Sequence, residues 1–219
     1  AGRHEKGTVD LLWINGENFH TMKDNGLLFG PFSERLPNYP SVDTVTIPST
    51  KLDFTEPVDG MEAPWGKAQI VFIHDPTQLP NPPKSAPELM AYAKAHPGRF
   101  TYPEPPDTLG STFLKQILIE LTDQQEALQK PVNETSFGPV TAPLWGWLDE
   151  IRPHLWRQGH TFHQSAPALR QLLADSEIDL AFSLNPNDAS AEIEKGNLRN
   201  TVRTYVLAGG TIGNTHFVA

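Results

Sequence analysis

The chain has 219 residues, of which 38% are hydrophobic and 20% charged, so it is expected to fold around an apolar core. Its formal net charge of −9 and the lack of any Lys/Arg cluster argue against a nucleic-acid partner. The sequence contains no cysteine, which excludes disulfides, cysteine-ligated metals and thiol catalysis, and no run approaches the ~18 apolar residues that cross a membrane.

The first part of the chain predicts a strand, a helix and then a long irregular segment. Residues 9–14 form an apolar run typical of a short buried strand, and Asn15 and Gly16 are expected to end it. Residues 17–28 have apolar side chains at helical spacing, with a glycine near the end of the helix. Residues 30–66 are rich in proline and show little periodicity, which is typical of a long functional loop.

The rest of the chain predicts alternating strands and helices. Residues 68–74 form the clearest apolar strand, and Ser85 is expected to cap a helix that runs to residue 95. The further predicted elements are a strand at 99–102, helices at 109–121, 144–156 and 167–173, a strand at 180–184, a helix at 189–195, and strands at 202–207 and 215–218. Such alternation is typical of an α/β protein with a mainly parallel sheet flanked by helices.

The turn that precedes the third predicted helix is the first candidate binding site. The first turn of a helix presents unpaired backbone N–H groups and partial positive charge, which can hold an anionic group. Thr108, Ser111 and Thr112 add hydroxyl groups, and Gly110 would let a ligand approach the backbone. The alternative is that Asp107 or Thr108 simply caps the helix.

Polar residues also follow the predicted strand at 180–184. Asn185, Asn187 and Asp188 can present amide groups and a carboxylate at the end of this strand, where α/β proteins commonly bind ligands. The alternative is an ordinary Asn-Pro turn in which Asp188 caps the next helix.

The third candidate lies where the first predicted strand meets the first helix. Trp13 is either a core residue or an aromatic face for a ring or a cation, and Asn15, Glu17 and Asn18 offer polar groups beside it. Three strand–helix turns therefore carry ligand-type residues, and this convergence predicts a binding cleft. No motif places a nucleophile beside a base, so the sequence does not predict a catalytic site.

Two other patterns carry little functional signal. His160 and His163 lack the spacing and the glutamate of the zinc-protease motif, so no metal site is predicted. The glycines at 209, 210 and 213 resemble part of a dinucleotide fingerprint, but a strand follows them where the fingerprint requires a helix. The alternative to a binding protein is an α/β enzyme for a phosphorylated or carboxylated substrate, with Asp188, His160 or Glu17 as acid or base.

The order of these motifs resembles a known protein family. VDLLWINGEN at 9–18, WG at 65–66, SAPEL at 85–89, GRFTYPE at 98–104 and TLGST at 108–112 occur in the order found in extracellular solute-binding proteins of bacterial ABC importers. The sequence looks most like a branch near the thiamine, iron(III) and polyamine binders. The resemblance covers nearly the whole chain, whose ends look cut, so an internal fragment of a longer protein is expected.

This resemblance implies a periplasmic binding protein-like II fold with two lobes, the first of them incomplete. Residues 8–66 would belong to the first lobe, and residues 67–208 would form the second, entered through a hinge strand at 68–75. Residues 209–219 would cross back toward the first lobe. In such proteins the ligand sits between the lobes.

The resemblance also implies a function without catalysis or a cofactor. The chain would be the periplasmic solute-binding component of an ABC importer, acting as a monomer and delivering its solute to a permease in the inner membrane. Gln164 lies where some relatives place an aromatic residue on the ligand, and Trp65, before the crossing strand, is also an expected ligand contact. Iron(III) binders use paired tyrosines, which the sequence lacks, so a small polar organic solute of the thiamine kind is expected. A regulatory effector domain, the third hypothesis, normally follows a DNA-binding helix-turn-helix, and the sequence shows none.

Overall fold

The computed structural model describes residues 8–163 and 165–219 and divides them into two compact units. Unit 1 comprises residues 8–68 and Gly213–Ala219, and unit 2 comprises Gln69–Ile212. The helices are α1 (Glu17–Asp24), α2 (Ala86–Ala95), α3 (Thr108–Leu121), α4 (Glu134–Ile151), α5 (Ala166–Ala174) and α6 (Asp188–Glu194). The strands are β1 (Trp13–Ile14), β2 (Leu52–Asp53), β3 (Glu56–Pro57), β4 (Ala63–Gln69), β5 (Val71–His74), β6 (Leu180–Ser183), β7 (Arg203–Tyr205) and β8 (Gly213–Val218). None of the described helices is both long and apolar enough to span a membrane.

Unit 1 is built on a three-stranded sheet in the order β1-β8-β4. β1 pairs antiparallel with β8, so that Trp13 lies opposite Val218 and Ile14 lies opposite Phe217. Because successive side chains of a strand point to opposite faces, Ile14 and Phe217 enter the core whereas Trp13 points away from it. This small core contains Ile14, Phe19, Val58 and Phe217.

Two predicted elements of unit 1 are shorter than expected. Of the predicted strand at 9–14, only Trp13–Ile14 is strand, and the residues before it are largely exposed. The predicted helix at 17–28 ends at Asp24, because Asn25 closes it and Gly26 follows in the left-handed region with φ of 61°.

The proline-rich segment at 30–66 is irregular, as its composition predicts. It contains three single 3-10 turns and the short hairpin of β2 and β3 before β4 begins. The backbone N–H groups of Phe32 and Ser33 both donate to the carbonyl of Gly60, at 2.7 and 3.1 Å. These bonds fix the beginning of the segment beside its end.

Unit 2 is built on a three-stranded sheet in the order β6-β5-β7, whose central strand β5 is buried along its whole length. Aromatic rings join this sheet to α3. The ring of Phe182 on β6 lies 5.7 Å from Phe72 on β5 and 4.8 Å from Phe113 on α3, measured between centroids. Burial of these large rings contributes to the stability of unit 2.

The described strand pairs of unit 2 are antiparallel, which corrects the prediction of a mainly parallel sheet. Phe72 lies opposite Phe182 on β6 and opposite Tyr205 on β7, and both pairings are antiparallel. Apolar strands that are buried on both faces look alike in sequence whichever way they run, because their direction depends on the route of the connecting chain. The α/β class itself is confirmed, since helices and sheet pack into one core in this unit.

Two further predictions for unit 2 need correction. Residues 99–102 do not form a strand, because the carbonyls of Arg99 and Phe100 accept hydrogen bonds from two different segments, at Asp179 and Trp156. The helix predicted at 144–156 occupies Glu134–Ile151 and contains two prolines, which ordinarily interrupt a helical pattern. The starts of α2 and α3, by contrast, are as predicted to within one residue.

Candidate functional site

The N-terminus of α3 is capped by a side chain of the protein itself. The Asp107 carboxylate accepts hydrogen bonds from the backbone N–H groups of Leu109 and Gly110, at 2.9 and 3.2 Å. The capping alternative is therefore what the structure shows for Asp107. A carboxylate in this position already offsets the positive end of the helix dipole, which leaves less electrostatic attraction for a second anion.

Gly110 is required by packing within unit 2. A Cβ atom at this position would lie 1.9 Å from the carbonyl oxygen of Pro103, so only glycine fits. Thr112 donates its hydroxyl to the carbonyl of Thr108 at 2.7 Å. Thr108 is exposed, and Ser111 and Thr112 are half-buried, so a ligand role for these three residues stays a prediction.

The turn after β6 is held mostly by its own residues. The side-chain oxygen of Asn185 accepts from the backbone N–H of Asn187 at 3.0 Å. The Asp188 carboxylate pairs with Arg170 at 2.9 Å, and both side chains are largely buried. The charge of Asp188 is balanced by Arg170, whereas Asn185 and Asn187 are exposed, and a ligand role for these three residues stays a prediction.

The turn after β1 carries a polar network within unit 1. Trp13 donates its indole N–H to the side-chain oxygen of Asn15 at 3.1 Å. The Asn15 amide nitrogen donates in turn to the Thr215 carbonyl at 2.9 Å and to Asp53 at 3.4 Å. Gly16, with φ of 58°, turns the chain so that its own N–H also reaches the Asp53 carboxylate.

Asp53 is the buried centre of this network. Besides Asn15 and Gly16, the amide nitrogen of Asn214 donates to its carboxylate at 2.9 Å. A buried carboxylate is tolerated because several donors surround it. Sequence reasoning missed Asp53 and Asn214, since both are far along the chain from Asn15 and neither belongs to a motif.

Three aromatic rings from three neighbouring strands meet beside this network. We call Trp13 on β1, Trp65 on β4 and His216 on β8 the aromatic cluster. Its ring centroids are 5.6 Å apart for Trp13 and Trp65, 5.4 Å for Trp13 and His216, and 5.3 Å for Trp65 and His216. Trp13 is 63% exposed and Trp65 is 57% exposed, so both indoles offer surface to another molecule. The structure thus brings together the predicted residues Trp13, Asn15 and Trp65 and adds His216.

Glu62 is a buried carboxyl group in the same unit. It is wholly buried, and neither of its oxygens has a hydrogen-bond partner among the described residues. Burial, together with the negative charge of Asp53, raises the pKa of Glu62 to about 8, and the weaker attraction of Lys23 acts in the opposite direction. Glu62 is therefore a neutral carboxylic acid near pH 7.

The remaining predicted residues are not assembled into a site. Glu17 and Asn18 are exposed on the first turn of α1, and Gln164 lies outside the described residues. The ring of His163 packs on Trp156 at 4.7 Å. In the described part of the chain, no group of three or more His, Asp or Glu side chains could hold a metal ion.

Comparison with known proteins identifies relatives along nearly the whole chain. Residues 2–215 match the family model described as bacterial extracellular solute-binding protein. The sequence is 44% identical over 218 residues to protein YnjB of Escherichia coli K12. The alignment covers 100% of this chain and 56% of YnjB. The chain thus spans about half the length of the curated relative that it matches.

Solved structures show the same fold at low sequence identity. One is the spermidine/putrescine ABC transporter substrate-binding protein PotD of Streptococcus pneumoniae, with a TM-score of 0.67, 12% identity, and coverage of 97% of this chain and 57% of that one. Another is iron-bound HitA of Pseudomonas aeruginosa, with a TM-score of 0.58, 18% identity, and coverage of 97% and 58%. These likenesses confirm the predicted type II periplasmic binding protein fold.

Proposed function

Because this chain belongs to the family of bacterial extracellular solute-binding proteins, we propose that it is the solute-binding part of an ABC importer. In this role it binds a small polar organic solute outside the cytoplasmic membrane and delivers it to a permease. We place the protein in the periplasm and propose that it acts as a monomer without a cofactor and catalyses no reaction.

The exposed aromatic cluster beside a rigid polar network is the observation that carries this proposal. Asn15 is held by Thr215 and Asp53, and it holds the indole of Trp13 in turn. Proteins rarely leave two tryptophans together on a fixed, exposed surface unless another molecule covers them. A binding protein uses such preorganised groups to reduce the entropy lost when the solute is ordered.

An organic solute suits this chain better than a metal ion. HitA is a protein solved with iron, whereas the described residues of this chain include no group of three or more His, Asp or Glu side chains that could hold a metal ion. Aromatic faces and amide groups suit molecules that carry both a ring and polar substituents. A heterocyclic vitamin such as thiamine belongs to this class, as do many other bacterial nutrients.

The enzyme alternative gains no support from the residues proposed for it. Asp188 is paired with Arg170, and Glu17 lies exposed on α1. General acid–base catalysis requires a group poised at the reacting atom with a suitable pKa.

A thermal-shift screen of the full-length protein tests the proposed function. The screen covers vitamins, amino acids, polyamines and sugar phosphates, and one chemical class is expected to raise the Tm in a concentration-dependent way. A solute at 100 times its Kd adds about 2.7 kcal/mol to the free energy of unfolding, which is readily measured.

The control is the Asn38→Ala variant, which removes an exposed amide from the proline-rich segment, compared with Asn15→Ala, which removes the support of Trp13. Asn15→Ala is expected to weaken the ligand-induced shift. A solute that the protein converts to product, or a screen in which no class stabilises it, would contradict the proposal.

A further inference from the structure

We propose that the aromatic cluster selects a solute bearing a delocalised organic cation, such as an N-alkylated heteroaromatic ring. This inference rests on the proposed function and specifies the class of solute. It is carried by the arrangement of the three rings, by the rigidity of Trp13 and by the charge of the chain.

The rings of the cluster stand in two directions. Trp65 and His216 are nearly parallel, with an interplanar angle of 22°, whereas Trp13 makes angles of 79° and 82° with them. A planar group that lies on one indole face therefore meets the second indole at an angle. Flat cations gain from contact with ring faces, and tryptophan gives the strongest attraction of the aromatic side chains.

The orientation of Trp13 is fixed before any solute binds. Its indole N–H is occupied by Asn15, whose amide nitrogen is itself held by the Thr215 carbonyl. The polar edge of the indole is therefore satisfied within the protein, and the exposed part of the ring remains for the solute. A preformed aromatic surface favours binding because little side-chain entropy is lost.

The charge balance of the chain favours a cation. The sequence has 26 acidic and 17 basic residues, and the buried carboxylate of Asp53 lies behind Asn15. One positive group stands close in sequence, since Lys67 follows Trp65 on β4 and is exposed. Lys67 makes an anionic ring the competing class, and the experiment must separate the two.

Three probes with six-membered aromatic rings separate the effect of charge from that of shape. N-methylpyridinium and toluene have the same outline, and benzoate carries the opposite charge on a similar ring. The full-length protein is labelled with 5-fluorotryptophan, and its fluorine NMR signals are assigned with single Trp→Phe variants. N-methylpyridinium is expected to shift the signals of Trp13 and Trp65, and toluene and benzoate are expected to shift them much less at equal concentration.

Two variants and a matched control test the role of each indole. Trp13→Leu and Trp65→Leu are expected to weaken binding of N-methylpyridinium by about 2- to 30-fold, which is the range of a cation–π contact. Trp145 on α4 is 49% exposed and lies outside the cluster, so Trp145→Leu is expected to leave binding unchanged. Because all three side chains are about half-exposed, these substitutions should preserve the fold, which circular dichroism verifies.

The outcomes distinguish this inference from the proposed function. If benzoate shifts the cluster signals more than N-methylpyridinium does, and Lys67→Met abolishes that shift, the cation assignment is wrong. Equal shifts with toluene and N-methylpyridinium would also overturn it, because contact would then be merely hydrophobic. If a solute from the thermal-shift screen binds while none of the probes moves these signals, the proposed function stands and this inference fails.

Discussion

Glu62 shows how a single buried side chain can make stability depend on pH. Its pKa is raised to about 8, above the ordinary value of 4.5, because the folded protein buries the carboxyl group beside Asp53. The folded state thus holds the proton more tightly than the unfolded chain does. The contribution of Glu62 to the free energy of unfolding is therefore fully present below about pH 4.5 and is lost progressively as the pH rises toward 8.

We expect Glu62→Gln to remove this dependence, because a glutamine has a similar shape and cannot ionise. The Tm of the variant should fall less than that of the parent between pH 5 and pH 8.5 when both are followed by circular dichroism. Glu17→Gln, at an exposed carboxylate on α1, is the matched control and should behave like the parent. A parallel pH profile for Glu62→Gln and the parent would show that Glu62 does not carry the effect.

The site could be predicted in part at this scale. Trp13 and Asn15 were recognisable because they lie at a strand–helix turn, which is a local pattern. Asp53 and His216 were not, because their roles come from contacts across the chain, and Asp53 lies 38 positions from Asn15. Alternation in β8 indicates which face His216 occupies, but it cannot show that Trp13 and Trp65 lie beside it.

At the scale of elements, two helical glycines differ in whether a side chain could take their place. Gly110 in α3 lies against the carbonyl of Pro103, whereas a Cβ atom at Gly146 in α4 would meet nothing within 4 Å. Glycine is an unfavourable helix residue, so it is retained where packing demands it and is replaceable elsewhere.

Gly110→Ala is expected to reduce the free energy of unfolding by about 1–3 kcal/mol, because the added methyl group overpacks the contact with Pro103. Gly146→Ala is expected to increase the same quantity by up to about 1 kcal/mol, because alanine favours the helix. Urea denaturation of both variants measures the difference. A stabilised Gly110→Ala variant would mean that Pro103 lies further from α3 than the structure places it.

The elements that could be predicted are those whose signals are local. Ser85 and Asp107 indicate where α2 and α3 begin, because a capping side chain and the helix it caps are adjacent in sequence. The direction of β5 relative to β6 could not be predicted, since more than a hundred residues separate the paired strands. Residues 99–102 have the alternating polar and aromatic pattern of a strand, but their hydrogen-bond partners prevent a ladder.

At the scale of the whole molecule, the two units differ greatly in the size of their cores. The core of unit 1 contains four buried residues, among them Phe19 and Phe217, whereas that of unit 2 joins side chains from two strands and five helices. Local stability follows the number of buried apolar contacts, so the units are expected to open independently.

Hydrogen exchange followed by mass spectrometry should detect this difference in the 219-residue chain. Amides of β5 are expected to exchange at least about tenfold more slowly than those of β1 and β8, because opening β5 disrupts the larger core. Peptides from the two units that exchanged at one common rate would show instead that the chain unfolds as a single cooperative body.

The geometry of the aromatic cluster also has an optical consequence. The indoles of Trp13 and Trp65 lie 5.6 Å apart at an angle of 79°, close enough for their electronic transitions to couple. Two coupled chromophores at an angle absorb left- and right-circularly polarised light unequally, which produces a pair of circular dichroism bands of opposite sign. We therefore expect a pair of circular dichroism bands from these two indoles, which should disappear in either Trp→Leu variant and change when a bound molecule turns one ring.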